Sequence, residues 1–82
     1  MKKIEVLGVG CPSCRKTEAI VRKVVEKKGW KDGEDYLIEK ITNINEIAAR
    51  GVLATPGVAV DGVVKSTGKI PSPSMIEDWL TQ

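Results

Sequence analysis

The first third of the chain pairs a short apolar run with a longer stretch of helical periodicity. Residues 4–7 are apolar apart from Glu5 and are followed by glycines, a pattern that predicts a buried strand. Further on, apolar positions recur at a spacing that forms one helical face, at Ala19, Ile20, Val24 and Val25. Pro12 suits the first helical position, which needs no amide donor. We therefore predict a helix over about residues 12–28.

The middle of the chain predicts a second strand and a short helix. Residues 36–41, Tyr-Leu-Ile-Glu-Lys-Ile, predict the second strand, and a strand–helix–strand order makes a right-handed crossover between parallel strands. Asn43 followed by Glu46 predicts a capping box at the start of a helix. The helix would end at Arg50 and Gly51, and its apolar face would comprise Ile44, Ile47 and Ala48.

The last third predicts a hairpin and a final helix. Apolar runs at residues 57–60 and 63–65 flank Asp61–Gly62, a strong hairpin signal. Ser72–Pro73 then opens a helix whose apolar face comprises Met75, Ile76, Trp79 and Leu80. The order βαβαββα predicts an α/β fold with a four-stranded mixed sheet and helices on both faces.

Length and charge narrow the possible functions. With 82 residues, we expect one domain over residues 1–82. The net charge is only +2, the 13 basic and 11 acidic residues are interleaved, and nothing suggests a nucleic-acid surface. No apolar segment is long enough to span a membrane. We expect a cytoplasmic monomer.

The candidate chemistry lies in Cys11–Pro12–Ser13–Cys14, where the first strand passes into the first helix. A sulfur at a helix start is near free amides and the positive end of the helix dipole, which favours its thiolate. We therefore expect Cys11 to be exposed and nucleophilic, with a pKa below about 8.5, and Cys14 to lie deeper on the same helical face. Cys11 would attack a disulfide, and Cys14 would then resolve the mixed disulfide.

Two other interpretations of the cysteines remain open. They could be small buried residues without a chemical role, although the proline and the glycines around them argue for a specific context. They could also bind a soft metal or a metalloid such as copper or arsenite. A structural zinc site usually has four ligands, whereas this chain has two cysteines and no histidine.

The chain resembles the thioredoxin and glutaredoxin superfamily, in particular its short archaeal and bacterial redox-active disulfide proteins. The resemblance is carried by residues 8–14, by residues 55–62 beginning Thr55–Pro56, and by Gly68. It implies a minimal thioredoxin-like fold, a cis Thr55–Pro56 bond beside the dithiol, and substrate contacts from Pro12, Ser13, Thr55 and Pro56.

The resemblance also implies partners. They are disulfide-containing proteins as substrates and a thioredoxin-reductase-type flavoenzyme as the source of electrons. The Cys11–Cys14 disulfide itself would be the redox group, without a separate cofactor. Thioredoxins carry a buried Asp six residues before the first Cys, where this chain has Glu5. We interpret Glu5 as a solvated strand residue, with proton transfer as the alternative.

Overall fold

A computed structural model describes residues 2–81, so Met1 and Gln82, the ends of the expected domain, lie outside the described residues. Four strands and three helices follow one another in the predicted order. They are β1 (Lys2–Leu7), α1 (Pro12–Lys27), β2 (Tyr36–Ile41), α2 (Ile44–Ala49), β3 (Gly57–Val60), β4 (Val63–Thr67) and α3 (Pro73–Thr81). The predicted strands at residues 4–7 and 63–65 were too short, since β1 begins at Lys2 and β4 ends at Thr67.

The sheet is mixed and four-stranded, as predicted, and its strand order is β2-β1-β3-β4. β1 pairs parallel with β2 and antiparallel with β3, and β3 pairs antiparallel with β4. Asp61 and Gly62 connect β3 to β4 with positive φ angles of 51° and 84°, the geometry of a tight hairpin turn. β1 is therefore a central strand, and its carboxyl end leads directly into the dithiol.

Two hydrophobic clusters cover the two faces of the sheet, which confirms the prediction of helices on both sides. On one face, side chains of α1 and α3 pack on the sheet around Ile4, Val21, Val25, Val58 and Ile76. Trp30 and Trp79 are partly buried against this cluster. On the other face, Leu7 and Ala59 pack against Ile47 of α2 and Val52.

The predicted apolar faces of the first two helices were partly wrong. Ala19 is exposed, whereas Val21 is fully buried on the stripe that continues from Cys14. In α2 only Ile47 is buried, while Ile44 and Ala48 face solvent. A helix of six residues has little more than one turn and a half, so it presents few side chains to the sheet.

No helix among residues 2–81 combines the length and the apolar character needed to cross a membrane.

Candidate functional site: a dithiol at a helix start

Cys11 caps the amino end of α1. Its backbone is extended, Pro12 follows as the first helical residue, and the Cys14 amide donates a hydrogen bond to Cys11 Sγ over 3.2 Å. This hydrogen bond uses one of the amides that a helix start leaves without a backbone partner. Cys11 is half-buried and is joined to Cys14 by a disulfide. The expectation that Cys11 lies at the helix cap is confirmed, and the geometry favours negative charge on its sulfur.

Cys14 lies one turn into the helix and is buried, with 6% of its surface exposed. Gly8, in the loop after β1, provides the space for it. A Cβ built on Gly8 would overlap Cys14 Sγ and would lie 3.0 Å from Cys14 Cβ. The two sulfurs thus differ in accessibility, as predicted.

The Thr55–Pro56 bond is cis, as the resemblance implied. The same Cβ built on Gly8 would lie 3.8 Å from Thr55 Cβ, so the small residue Gly8 lies between Cys14 and the Thr55–Pro56 segment. Thr55 is exposed and Pro56 is buried, while Pro12 and Ser13 are exposed on the first turn of α1. The structure therefore brings all six candidate residues to one end of the sheet.

A small cavity of about 50 Å³ lies next to Cys14. It is lined by Val6, Gly8, Gly10, Cys14, Arg15, Glu18, Lys40 and Thr42. Glu18 carries the negative charge in this lining, and cations surround it: Arg22 Nε donates to its Oε2 over 2.9 Å and Lys40 Nζ lies 3.6 Å from its Oε1. The hydrogen bond from Arg22, helped by the charge of Lys40, lowers the pKa of Glu18 below its usual value despite partial burial.

The interpretation of Glu5 as a solvated residue was wrong, since only 1% of its surface is exposed. Its Oε2 lies 2.7 Å from Nη1 of Arg50, which follows α2. The contact is an ion pair, and no well-aligned hydrogen bond from residues 2–81 reaches Oε2. Because side chains alternate along a strand, Glu5 shares the α2 face with Leu7, whereas Ile4 and Val6 face α1.

An apolar groove of about 240 Å³ begins at the loop before Cys11. It is lined by Val9, Ile44, Ile47, Ala48, Val52, Leu53 and Thr55. Three of these side chains are large and exposed: Val9 to 58%, Ile44 to 68% and Leu53 to 93%. Scattered single apolar residues are ordinary on a protein surface, but a cluster at one site indicates a binding surface.

Sequence reasoning missed Glu18, Lys40 and the groove. Glu18 follows Cys14 by four residues, the spacing that places two side chains on one face of a helix, so its position could have been predicted. Lys40 pairs with Val6 in the parallel register of β1 and β2, which only the folded sheet defines. The groove joins residues from a loop, a helix and the segment before the cis bond.

Comparison with known proteins adds independent evidence. A family model for the thioredoxin domain matches residues 2–81. The thioredoxin of Methanocaldococcus jannaschii is 45% identical over 80 residues, which cover 98% of this chain and 87% of that protein. The thioredoxin of Methanothermobacter thermautotrophicus is 36% identical over 81 residues, which cover 99% of this chain and 100% of that protein. None of these three matches supports metal binding as the function.

Proposed function

Because the chain belongs to the thioredoxin family, we propose that its thiol–disulfide oxidoreductase activity reduces disulfides of other proteins, with Cys11 attacking and Cys14 resolving. The observation that carries the proposal is the unequal setting of the two sulfurs. Cys11 is half-exposed, and its Sγ accepts a hydrogen bond from the Cys14 amide at the helix start. Cys14, one turn further into the helix, is buried.

The reaction follows from this order. In the reduced protein, the Cys11 thiolate attacks one sulfur of a substrate disulfide, and the other substrate sulfur leaves as a thiolate. Cys14 then loses its proton and attacks Cys11 Sγ, which forms the Cys11–Cys14 disulfide and releases the second substrate thiolate. The substrate gains two electrons, and the protein dithiol supplies them. The Cα atoms of the two cysteines are 5.1 Å apart, so the second step takes place within one molecule.

Substrate binding is assigned to the surface around Cys11. Pro12 and Ser13 follow Cys11 in the chain and are exposed, and the Thr55–Pro56 segment lies next to Gly8, which also contacts Cys14. An extended substrate segment can pair with the backbone of Thr55, since strand addition uses main-chain hydrogen bonds. Apolar substrate side chains next to the disulfide would then enter the groove beside Val9.

The oxidised protein must be reduced before it can act again. The proposed reductant is a flavoenzyme of the thioredoxin-reductase type, which passes electrons to the Cys11–Cys14 disulfide, the only redox group that the mechanism uses. We place the protein in a reducing cytosol, where a Cys-x-x-Cys pair is kept as a dithiol between turnovers. It would act there as a monomer, as one domain over residues 1–82.

Reduction of insulin by dithiothreitol, followed as turbidity, tests the proposal. We expect the wild-type protein to accelerate precipitation and both Cys11→Ser and Cys14→Ser to lose that acceleration. The two variants should differ in trapping. Cys14→Ser should form a mixed disulfide with insulin that is detected by mass spectrometry, because its attacking sulfur remains, and Cys11→Ser should form much less. Absence of acceleration by the wild-type protein, with tight copper or arsenite binding by its reduced form, would instead favour metal binding.

A further inference from the structure

We propose that Glu18 accepts the proton that Cys14 loses when it resolves the mixed disulfide. The inference rests on the proposed function, because it concerns the second of its two steps. That step has a specific difficulty: Cys14 is buried, and burial disfavours a thiolate. A buried thiol therefore needs a nearby group or a water path that can remove its proton.

The cavity beside Cys14 provides such a path. Glu18 and Cys14 are four residues apart on α1, so they lie on the same helical face, and both line the cavity of about 50 Å³. That volume can accommodate a water molecule, which needs at least about 10–15 Å³ of cavity. Glu18 is the single carboxylate among the described residues that line the cavity, alongside the cations Arg15 and Lys40 and the hydroxyl of Thr42.

Glu5, the other carboxylate to consider, faces away from this cavity. It shares the α2 face of the sheet with Leu7, and its carboxylate is held by Arg50. Val6, on the opposite face of β1, lines the cavity instead. Glu5, six residues before the first cysteine, therefore pairs with Arg50 on the α2 face of the sheet, whereas Cys14 lies on the α1 face.

Arg22 on α1 and Lys40 on β2 face the two oxygens of Glu18, so the carboxylate is unprotonated before the step. The attack of the Cys14 sulfur on Cys11 has to draw the proton transfer forward, because these cations lower the pKa of Glu18 and so weaken it as a base. The Glu18 side chain is 18% exposed, so a proton taken from the cavity has a route to bulk water. The cations also offset the repulsion between the Glu18 carboxylate and a developing Cys14 thiolate.

The S–H bond of Cys14 breaks, its proton passes through a cavity water to the Glu18 carboxylate, and the sulfur keeps the electron pair. That pair forms the bond to Cys11 Sγ as the bond between Cys11 and the substrate sulfur breaks. The substrate leaves as a thiolate, and Glu18 returns its proton to solvent.

The reduced protein can be tested with an aromatic disulfide reagent such as 5,5′-dithiobis(2-nitrobenzoate). Attack by Cys11 releases one coloured thiolate, and attack by Cys14 on the resulting mixed disulfide releases the second. In Glu18→Gln we expect the first phase to be unchanged and the second to slow about tenfold or more at neutral pH, a modest part of what a positioned base contributes. Glu26→Gln, an exposed residue of the same helix, is the matched control and should match the wild type.

Three further measurements separate proton transfer from a structural effect. The second phase of Glu18→Gln should approach that of the wild type as pH rises, because hydroxide then removes the proton. Added imidazole should accelerate it in proportion to the concentration of free base. Glu18→Asp should recover part of the rate. An unchanged second phase in Glu18→Gln would overturn the proposal, as would equal slowing of both phases. Failure of the wild type to release two equivalents would instead refute the proposed dithiol function.

Discussion

Gly8→Ala tests how closely the chain after β1 packs against the buried sulfur. A Cβ at position 8 would overlap Cys14 Sγ, lie 3.0 Å from Cys14 Cβ and contact Thr55 Cβ at 3.8 Å. Gly8 has no left-handed backbone that would strain an alanine, so the perturbation is steric. Cys14 cannot move aside freely because it belongs to α1 and is bonded to Cys11.

The expected magnitude follows from the size of this overlap. Adding a methyl group to a packed interior typically costs about 1–3 kcal/mol. We expect a value near the middle, about 2 kcal/mol, because the atom that must move is the sulfur of a side chain held at both ends. In a domain of this length, a loss of about 2 kcal/mol lowers the melting temperature by roughly 8–16 °C.

Urea denaturation of Gly8→Ala in two backgrounds measures the effect and identifies its source. The cost of Gly8→Ala is measured in the oxidised wild type and again in a Cys14→Ala background, which removes the sulfur. We expect at least half of the cost to disappear in the second background. Gly10→Ala is the control: its φ of +85° strains an alanine, but among residues 2–81 no atom beyond its chain neighbours lies within 4 Å of the added Cβ, so its cost should not change. An equal cost of Gly8→Ala in both backgrounds would refute the packing argument.

Two further predictions concern charged groups away from the dithiol. Arg50→Met should lower the free energy of unfolding by about 2 kcal/mol or more, because it leaves the Glu5 carboxylate buried without its cation. Adding Glu5→Gln should restore most of that loss in urea denaturation, and a purely additive double variant would contradict the pairing. In Asp61→Asn, the asparagine tolerates the positive φ of 51° as aspartate does, but the negative charge is removed. The hydrogen bond from the Lys3 amide, helped by the charge of Lys2, lowers the pKa of Asp61 below its usual value of 3.8. The Asp61 carboxylate therefore stabilises the folded protein above pH 3.8, and this stabilisation is lost as the pH falls through the folded-state pKa. The variant should therefore be less stable than the wild type at neutral pH and equally stable in acid, and a difference that persists in acid would exclude the charge as its cause.

Local patterns account for most of what could be predicted. Cys11–Pro12 marks the start of α1 because a proline needs no amide donor at the first helical position. Asp61–Gly62 marks the hairpin because both residues adopt positive φ. These features depend on neighbours in sequence, and they place the dithiol at a helix start and the hairpin after β3.

What could not be predicted depends on contacts between distant segments. The burial of Glu5 depends on Arg50, which follows α2 and is distant from Glu5 in sequence. The apolar positions of α1 are compatible with burial of either Ala19 or Val21. Which of the two is buried depends on how the helix is rotated against the strands, and the structure buries Val21. The cis Thr55–Pro56 bond was implied by family resemblance, since X-Pro bonds are trans in most proteins.

The Cys11 thiol of the reduced protein is the group on which the whole account depends. Its pKa can be read from the ultraviolet absorbance of the thiolate during a pH titration, with Cys14→Ser used to assign the signal to Cys11. The helix start and the Cys14 amide predict a value below the free-cysteine reference of about 8.5. A value at or above that reference would contradict the assignment of Cys11 as the attacking sulfur.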